Sequence, residues 1–149
     1  MTEHLYLDDL KAGMQFDSPT FTVTEADIKR FASEFDPQPF HLDDTAARES
    51  IFRGLAASGW HTAAITMRLL VSGGLPLAGG IIGMSVDIAW VKPVRPGSIL
   101  RVVSTVQDVQ RSKSKPSQGI ATVASETMDE SGEVVQRLVS KLLVAARNA

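Results

Sequence analysis

The sequence has no cysteine among its 149 residues. That absence excludes a disulfide framework, a thiolate nucleophile and a zinc site built on cysteine. Histidine is also scarce, since His4, His41 and His61 are the only three. Their positions do not match metal-ligand motifs such as His-Glu-x-x-His. We therefore expect neither a metal ion nor a redox cofactor.

The sequence also lacks the features that mark nucleic-acid-binding, secreted or membrane proteins. Its net charge is −2, so there is no overall basic surplus to attract nucleic acid. Residues 1–5 are acidic and polar, where a signal peptide would be basic and then apolar. Residues 69–86 carry no charge, but glycines and a proline interrupt them, which argues against a membrane span. We expect a cytoplasmic protein that binds neither nucleic acid nor membrane.

What is present is the composition of an ordinary globular domain. Hydrophobic residues make up 44% of the chain and charged residues 21%, and the length suits one domain with a sizeable core. We find no internal repeat, linker or low-complexity segment. The prediction is one domain over residues 1–149.

The most apolar part of the chain lies between residues 54 and 71. Its periodicity predicts a helix that is buried nearly all round. We expect Ser58 to cap this helix and Gly73 with Gly74 to end it. The predicted buried stripe comprises Trp60, Ala63, Ala64, Met67, Leu70 and Val71.

After this helix the period of the apolar residues changes to two. Large apolar residues alternate with small or polar ones over residues 82–90. This alternation predicts a strand with large apolar side chains on one face. Further strands are predicted over 99–109, 120–128 and 134–144, and a first strand within 7–23. Thr24 is expected to cap a short helix that ends near Phe35. One helix followed by strands indicates an α+β layer structure with the sheet around the helix.

Between the two predicted helices, Asp36 and His41 stand five positions apart. Pro37 and Pro39 lack amide donors and push the preceding residues into extended geometry, so we predict that this segment is not helical. A rigid backbone would aim both side chains at one point, where they form a candidate acid/base pair. The alternative is a polar loop in which Asp36 accepts backbone amides and His41 lies on the surface.

The same segment resembles the MaoC-like dehydratases, the (R)-specific enoyl-CoA hydratase family. That family reads roughly Gly-Asp-x-Asn-Pro-x-His-x-Asp, followed by a His-Gly or Ser-Gly dipeptide that opens a buried helix. The residues that match are Asp36, Pro39, His41, Asp43 and Gly59. The residues that differ from the commoner pattern are Phe35, Gln38 and Ser58. Residues 90–98 and 111–116 also resemble the family.

The resemblance implies a hotdog fold, in which an antiparallel sheet wraps a long buried central helix. It also implies a homodimer, or a dimer of dimers, that acts on a coenzyme A or carrier-protein thioester. The implied reaction hydrates a 2-enoyl thioester, or dehydrates a 3-hydroxyacyl thioester, with Asp36 and His41 holding one water. Gly59, with Ser58, would bind the thioester oxygen at the helix N-terminus. Candidates for contacts to the coenzyme A phosphates are Lys92, Arg95, Arg111, Lys113 and Lys115.

Two other functions remain open from the sequence. One is an acyl-CoA thioesterase of the same fold, and the other is a subunit that binds acyl thioesters without catalysis. The departures at Phe35 and Gln38 would mark the lost activity in the second case. His61 lies within the apolar helix, and we expect it to be a buried, hydrogen-bonded structural histidine.

Overall fold

The computed structural model describes residues 4–147. Four α-helices precede the long strands, and α1, α4 and the four long strands form close to their predicted places. The helices are α1 (Glu25–Phe35), α2 (Pro39–Leu42), α3 (Asp44–Arg48) and α4 (Gly59–Leu69). The strands are β1 (Gln15–Asp17), β2 (Phe21–Thr22), β3 (Ile82–Trp90), β4 (Ile99–Arg111), β5 (Gln118–Met128) and β6 (Val134–Ala145). A single π-helical turn, Leu70–Gly74, extends α4.

The strands form one antiparallel sheet in the order β1-β4-β5-β6-β3, with β2 also paired to β4. Burial alternates along β5, where Ala121, Val123 and Ser125 face inward. This alternation puts one face of the sheet against the helix, as period-two sequences require. Strand β3 forms one edge of the sheet, because among residues 4–147 it pairs only with β6 and leaves its other side open.

Helix α4 lies on the inner face of the sheet, but its buried side is not the predicted one. Trp60, Met67 and Val71 are 58%, 45% and 67% exposed. The residues that are buried are His61, Thr62, Ile65, Thr66 and Leu69. The prediction of the buried stripe was wrong for Trp60, Met67 and Val71, although Leu70 is buried, because one sheet covers only one side of a helix. In the single chain, the largest apolar side chains of α4 point away from that sheet.

Hydrogen bonds between buried side chains attach α4 to the sheet. The Thr66 hydroxyl lies 2.6 Å from the Thr127 hydroxyl and accepts a bond of 3.0 Å from the Gln136 amide. The Gln136 oxygen in turn accepts the Trp90 indole N–H at 3.0 Å. Buried polar groups need such partners, so these contacts also fix where α4 sits along the strands.

The segment between α1 and α4 is more helical than its prolines predicted. Thr24 caps α1 as expected, accepting the Asp27 N–H at 3.1 Å. Pro39 does not prevent a helix. It is instead the first residue of α2, where its missing N–H would have had no helical partner. Asp43 then caps α3 by accepting the Ala46 N–H at 2.9 Å.

Across the described residues, no helix combines the length and the apolar character that a bilayer crossing requires.

Candidate active site

His41 is held in one orientation by the backbone of the segment that precedes α4. The residue is 4% exposed, and its Nδ1 lies 2.6 Å from the carbonyl oxygen of Ala56. A carbonyl oxygen only accepts, so Nδ1 must carry the hydrogen. The Phe40 carbonyl accepts the Ala56 N–H at 3.3 Å and ties the same segment to α2. The ring therefore presents its other nitrogen, Nε2, to the site.

Asp36 faces that nitrogen. Its Oδ2 lies 3.3 Å from His41 Nε2, and its Oδ1 accepts a bond of 2.6 Å from the Gln38 side-chain amide. With Nδ1 protonated, a neutral imidazole would turn a lone pair toward the carboxylate, so the contact favours one proton between the two groups. The structure thus brings together the two residues that the sequence proposed as a pair.

The surroundings of Asp36 favour its ionised form. Partial burial acts to raise the pKa of the carboxyl group, but three neighbours outweigh it. The Ser58 hydroxyl, the Gln38 amide and the charge of His41 together hold the pKa of Asp36 below its usual value of 3.8. Hydrogen bonds to a carboxylate act in this direction.

Ser58 and Gly59 form the start of α4 beside the pair. Ser58 is fully buried, and its Oγ accepts the Trp60 N–H at 3.2 Å, which leaves its own hydrogen for Asp36. A Cβ on Gly59 would lie 2.5 Å from the Trp90 ring, and the Gly59 carbonyl accepts the Trp90 indole N–H at 2.9 Å. Within residues 4–147 the Gly59 N–H takes no hydrogen-bond partner, as expected at a helix N-terminus.

These groups open into a cleft of about 370 Å³. Asp36, His41 and Gly59 are part of its wall. Trp60 and Trp90 meet edge to face there, with ring centroids 5.2 Å apart. The remaining apolar wall is formed by Phe40, Phe52, Ala57, Val91, Pro93 and Val94. The cleft therefore combines a narrow polar corner with a wide apolar and aromatic surface.

The five basic residues predicted as phosphate contacts do not form one cluster. Lys92 borders the cleft, but its ammonium binds Asp129 at 2.9 Å and also Glu133, and these carboxylates raise the pKa of Lys92. Arg111 binds the Asp8 carboxylate at 2.7 Å on the β4–β5 side of the molecule. Lys113 and Lys115 belong to the adjoining turn, away from the residues that line the cleft.

Arg95 is engaged in a different way. Its guanidinium donates to the carbonyl oxygens of Phe52, Gly54 and Leu55 at 2.5, 2.8 and 3.2 Å. Arg95 thus supports the segment that leads to Ala56, whose carbonyl oxygen contacts His41 Nδ1. Of the five predicted phosphate contacts, Lys92 and Arg111 are already bound to carboxylates. Lys113 and Lys115 lie in a turn away from the cleft, and Arg95 lies in a groove beside it.

His61 is buried as predicted, but its hydrogen bonding differs from the prediction. Its ring stacks on Phe31 with centroids 4.7 Å apart, and its Nδ1 has no partner among the described residues. Burial lowers the pKa of His61 below its ordinary value of 6.5, with the Asp27 carboxylate opposing and Arg30 adding to the effect. His61 is not among the residues that line the cleft.

Some residues of the site were missed from the sequence. Gln38 was noted only as a departure from a family pattern, and the Ala56 carbonyl carries no side-chain signal at all. Trp90 was assigned to the apolar face of a strand, without any link to Gly59, which lies 31 positions earlier. No group of three or more His, Asp or Glu side chains in the described part of the chain gathers as a metal site.

Comparison with known proteins identifies the family. The model of the MaoC like domain matches residues 9–128. The chain belongs to the MaoC-like domain family. An uncharacterized protein of Bacillus subtilis, YdeM, is 34% identical over 125 residues, which cover 83% of this chain and 87% of that protein.

Solved structures of the family agree with this assignment. The MaoC-like dehydratase of Rhodospirillum rubrum is 56% identical and superposes with a TM-score of 0.95, over 97% of this chain and 99% of that one. The (R)-hydratase PhaJ1 of Pseudomonas aeruginosa is 21% identical, with a TM-score of 0.76 over 97% of this chain and 88% of that one. That second likeness is one of fold alone. The predicted α+β hotdog fold is confirmed.

Proposed function

We propose that this protein is a hydro-lyase that adds water to a 2-enoyl thioester, or removes it from a 3-hydroxyacyl thioester. The observation that carries the proposal is the fixed orientation of His41. Its Nδ1 bond to the Ala56 carbonyl turns Nε2 toward the Asp36 carboxylate, 3.3 Å away, at the polar corner of an apolar cleft. Family membership and the description of the Rhodospirillum rubrum neighbour as a dehydratase support the same reaction class.

The position of the proton between Asp36 and His41 decides which residue acts as the base and which as the acid. In the proposed mechanism His41 Nδ1 keeps its hydrogen for the Ala56 carbonyl, and Nε2 holds the proton that it shares with the ionised Asp36 carboxylate. In the hydration direction Asp36 takes a proton from water, whose oxygen adds to the β-carbon. His41 Nε2 gives its proton to the α-carbon, and the proton on Asp36 then returns to Nε2. Each positioned acid or base contributes typically about 10²–10⁴-fold to the rate.

The N-terminus of α4 supplies the third element of the mechanism. Negative charge develops on the thioester oxygen as the nucleophile adds to the β-carbon. The unused Gly59 N–H, at the positive end of the helix, can donate to that oxygen. Ser58 both caps α4 and donates toward Asp36, so it keeps the carboxylate aligned with the helix end. No step of this mechanism calls for a metal ion or a cofactor other than the thiol carrier of the substrate.

Two substitutions test the pair as a unit. Asp36→Asn keeps the size of the side chain but cannot act as a base, and His41→Ala removes the acid. Each should lower hydration of crotonyl-CoA by about 10²-fold or more, while the double variant should be little worse than the poorer single one. Enoyl absorbance and free thiol are followed separately, with thermal unfolding as the control for folding.

The outcomes separate the proposal from its rivals. Release of free thiol without formation of the 3-hydroxyacyl thioester would assign a thioesterase. Binding of crotonyl-CoA with no turnover at all would assign a non-catalytic binding subunit. A folded Asp36→Asn protein that hydrates crotonyl-CoA at the wild-type rate would refute the mechanism.

The proposal includes a homodimer joined along β3. In the described part of the chain this strand pairs on one side only, and Met84 and Val86 on it are 58% and 56% exposed. An open apolar edge strand is a template for pairing with another chain. A second copy would extend the sheet antiparallel across the edge and cover the outer side of α4, where Trp60 and Met67 lie.

A further inference from the structure

We propose that a groove lined by Arg48, Arg53 and Arg95 binds a phosphate of the thiol carrier, whether coenzyme A or the phosphopantetheine arm of a carrier protein. The inference rests on the proposed function, because it assumes an acyl thioester in the cleft beside Asp36 and His41. It replaces the cluster of five basic residues predicted from the sequence and retains only Arg95 from it.

The groove concentrates positive charge on a protein whose net charge is −2. It encloses about 510 Å³ between α3 and the segment around Pro96. Its single acidic residue, Asp44, lies 3.4 Å from the Lys29 ammonium and is neutralised by it. None of the three arginines forms a salt bridge with a carboxylate in the described part of the chain. The groove is therefore a cationic surface without a matching anion of its own.

Arg95 provides the fixed charge at the centre of the groove. Three backbone carbonyls hold its guanidinium in place, and two of its five N–H donors remain for a ligand. Arginine in a fixed orientation suits phosphate, because its planar donors match pairs of phosphate oxygens. The side chain is half-buried, so its charge is screened less by solvent than that of a fully exposed arginine.

Arg48 and Arg53 extend the charge toward solvent. Arg48 makes only a long contact of 3.4 Å to the Thr45 hydroxyl. Arg53 has a positive φ of 57°, a conformation in which glycine or asparagine is far more common than arginine. Both residues are exposed, so their guanidinium groups can turn onto an anion that enters the groove.

The groove and the catalytic cleft share a wall. Gly54 and Leu55 line the groove, and Ala57, only two residues after Leu55, lines the cleft. On the facing segment, Val94 belongs to the cleft and the next residue, Arg95, to the groove. The two segments are joined by the Ala57 N–H, which donates to the Val94 carbonyl at 2.9 Å. A thioester bound in the cleft thus has a cationic surface directly beside it for the charged end of its carrier.

The test measures binding rather than turnover, so it does not depend on the reaction catalysed. Butyryl-CoA, butyryl carrier protein and butyryl-pantetheine, which has no phosphate, are titrated by calorimetry into the wild type and into the double variant Arg48→Gln with Arg53→Asn. Asparagine tolerates the positive φ at position 53, so the backbone is kept. The double variant Lys113→Gln with Lys115→Gln removes the same charge from the β4–β5 turn and serves as the matched control.

We expect the groove variant to bind butyryl-CoA or the carrier protein about tenfold more weakly, as for the loss of one hydrogen bond to a charged group. The difference should shrink at high salt, and binding of butyryl-pantetheine should not change. A loss confined to the carrier protein would identify the phosphopantetheine arm as the ligand, and a loss with butyryl-CoA would identify coenzyme A.

The inference is overturned if neither phosphate-bearing thioester binds the wild type, or if the groove variant binds both as the wild type does. An equal loss in the turn variant, or a loss that includes butyryl-pantetheine, also overturns it. The proposed function is judged separately, by hydration of crotonyl-CoA by the wild type. A protein that hydrates the thioester but shows no effect in the groove variant loses only this inference.

Discussion

At the scale of single residues, His61 stands out because its buried Nδ1 has no hydrogen-bond partner among residues 4–147. Its ring stacks on Phe31, so the site suits a neutral imidazole better than a charged one. Burial lowers the pKa of His61 in the folded protein below 6.5. Below pH 6.5 the unfolded chain therefore takes up a proton that the folded protein resists. The free energy of unfolding must fall as the pH drops from 6.5 through the folded-state pKa.

Replacing His61 by phenylalanine should remove this pH dependence. Phenylalanine keeps a flat ring against Phe31 and cannot be protonated. We expect the thermal midpoint of His61→Phe to change less than that of the wild type between pH 7 and pH 5. His4→Gln, which removes an exposed histidine, should change with pH as the wild type does. If the thermal midpoint changed with pH equally in His61→Phe and in the wild type, His61 would not be the source of the pH dependence.

The sequence predicted that Asp36 and His41 lie together because both belong to one short segment, where a few rigid residues control their separation. The groups that orient them come from elsewhere in the chain. Ala56 lies 15 positions from His41 and contributes only its carbonyl, which every residue type has. A contact of that kind depends on tertiary packing and leaves no mark in the residue pattern.

At the scale of elements, the period of the apolar residues predicted α4 and the four long strands well. It did not predict which side of α4 faces the sheet. The buried side carries Thr62 and Thr66, whose hydroxyls are satisfied by bonds within the helix and to Thr127. Hydrophobicity alone favours the opposite side, with Trp60 and Met67. Only the hydrogen-bond partners on the strands reveal that a polar side is the inner one.

The contact between α4 and β3 gives a sharp test of that packing. Gly59→Ala would place a methyl group 2.5 Å from the Trp90 ring, and that ring is held by bonds to Gly59 and Gln136. We expect a loss of about 1–3 kcal/mol in the free energy of unfolding, as for other overpacked sites, and weaker hydration because the cleft wall moves. Chemical denaturation and the crotonyl-CoA assay measure the two effects.

A second substitution shows whether the clash is the cause. Trp90→Phe removes the indole atoms nearest to Gly59, so it should restore part of the stability lost in Gly59→Ala. If the coupling free energy between Gly59→Ala and Trp90→Phe were zero, a clash with the Trp90 ring would not be the cause of the lost stability.

At the scale of the whole molecule, several large apolar side chains of the single chain are exposed, and a contiguous exposed apolar surface marks an interaction site. Trp60, Met67 and Val71 project from α4, and Met84 and Val86 from the open edge of the sheet. Trp60 touches Trp90 on β3, so the exposed side chains of α4 and of β3 meet beside the cleft that contains Asp36 and His41. The pattern that predicted a helix buried on all sides is explained if a second copy covers the side that the sheet leaves open. In that case the apolar residues of α4 serve two interfaces, one with the sheet of their own chain and one with the second copy.

We expect the protein to be a homodimer in solution. Light scattering at micromolar concentration should give twice the 16.1 kDa of one chain. Met84→Lys with Val86→Lys puts two charges on the edge strand, where they would be buried without partners, so the mass should fall to that of the monomer. Ile51→Lys places a charge on a side chain that is 91% exposed and outside α4 and β3, and this variant should remain a dimer. Hydration of crotonyl-CoA should fall with the dimer fraction, because Trp60 and Trp90 form the part of the cleft wall beside the joined edge. A wild-type protein that scatters as a monomer, or an edge variant that stays dimeric, would rule out assembly along β3.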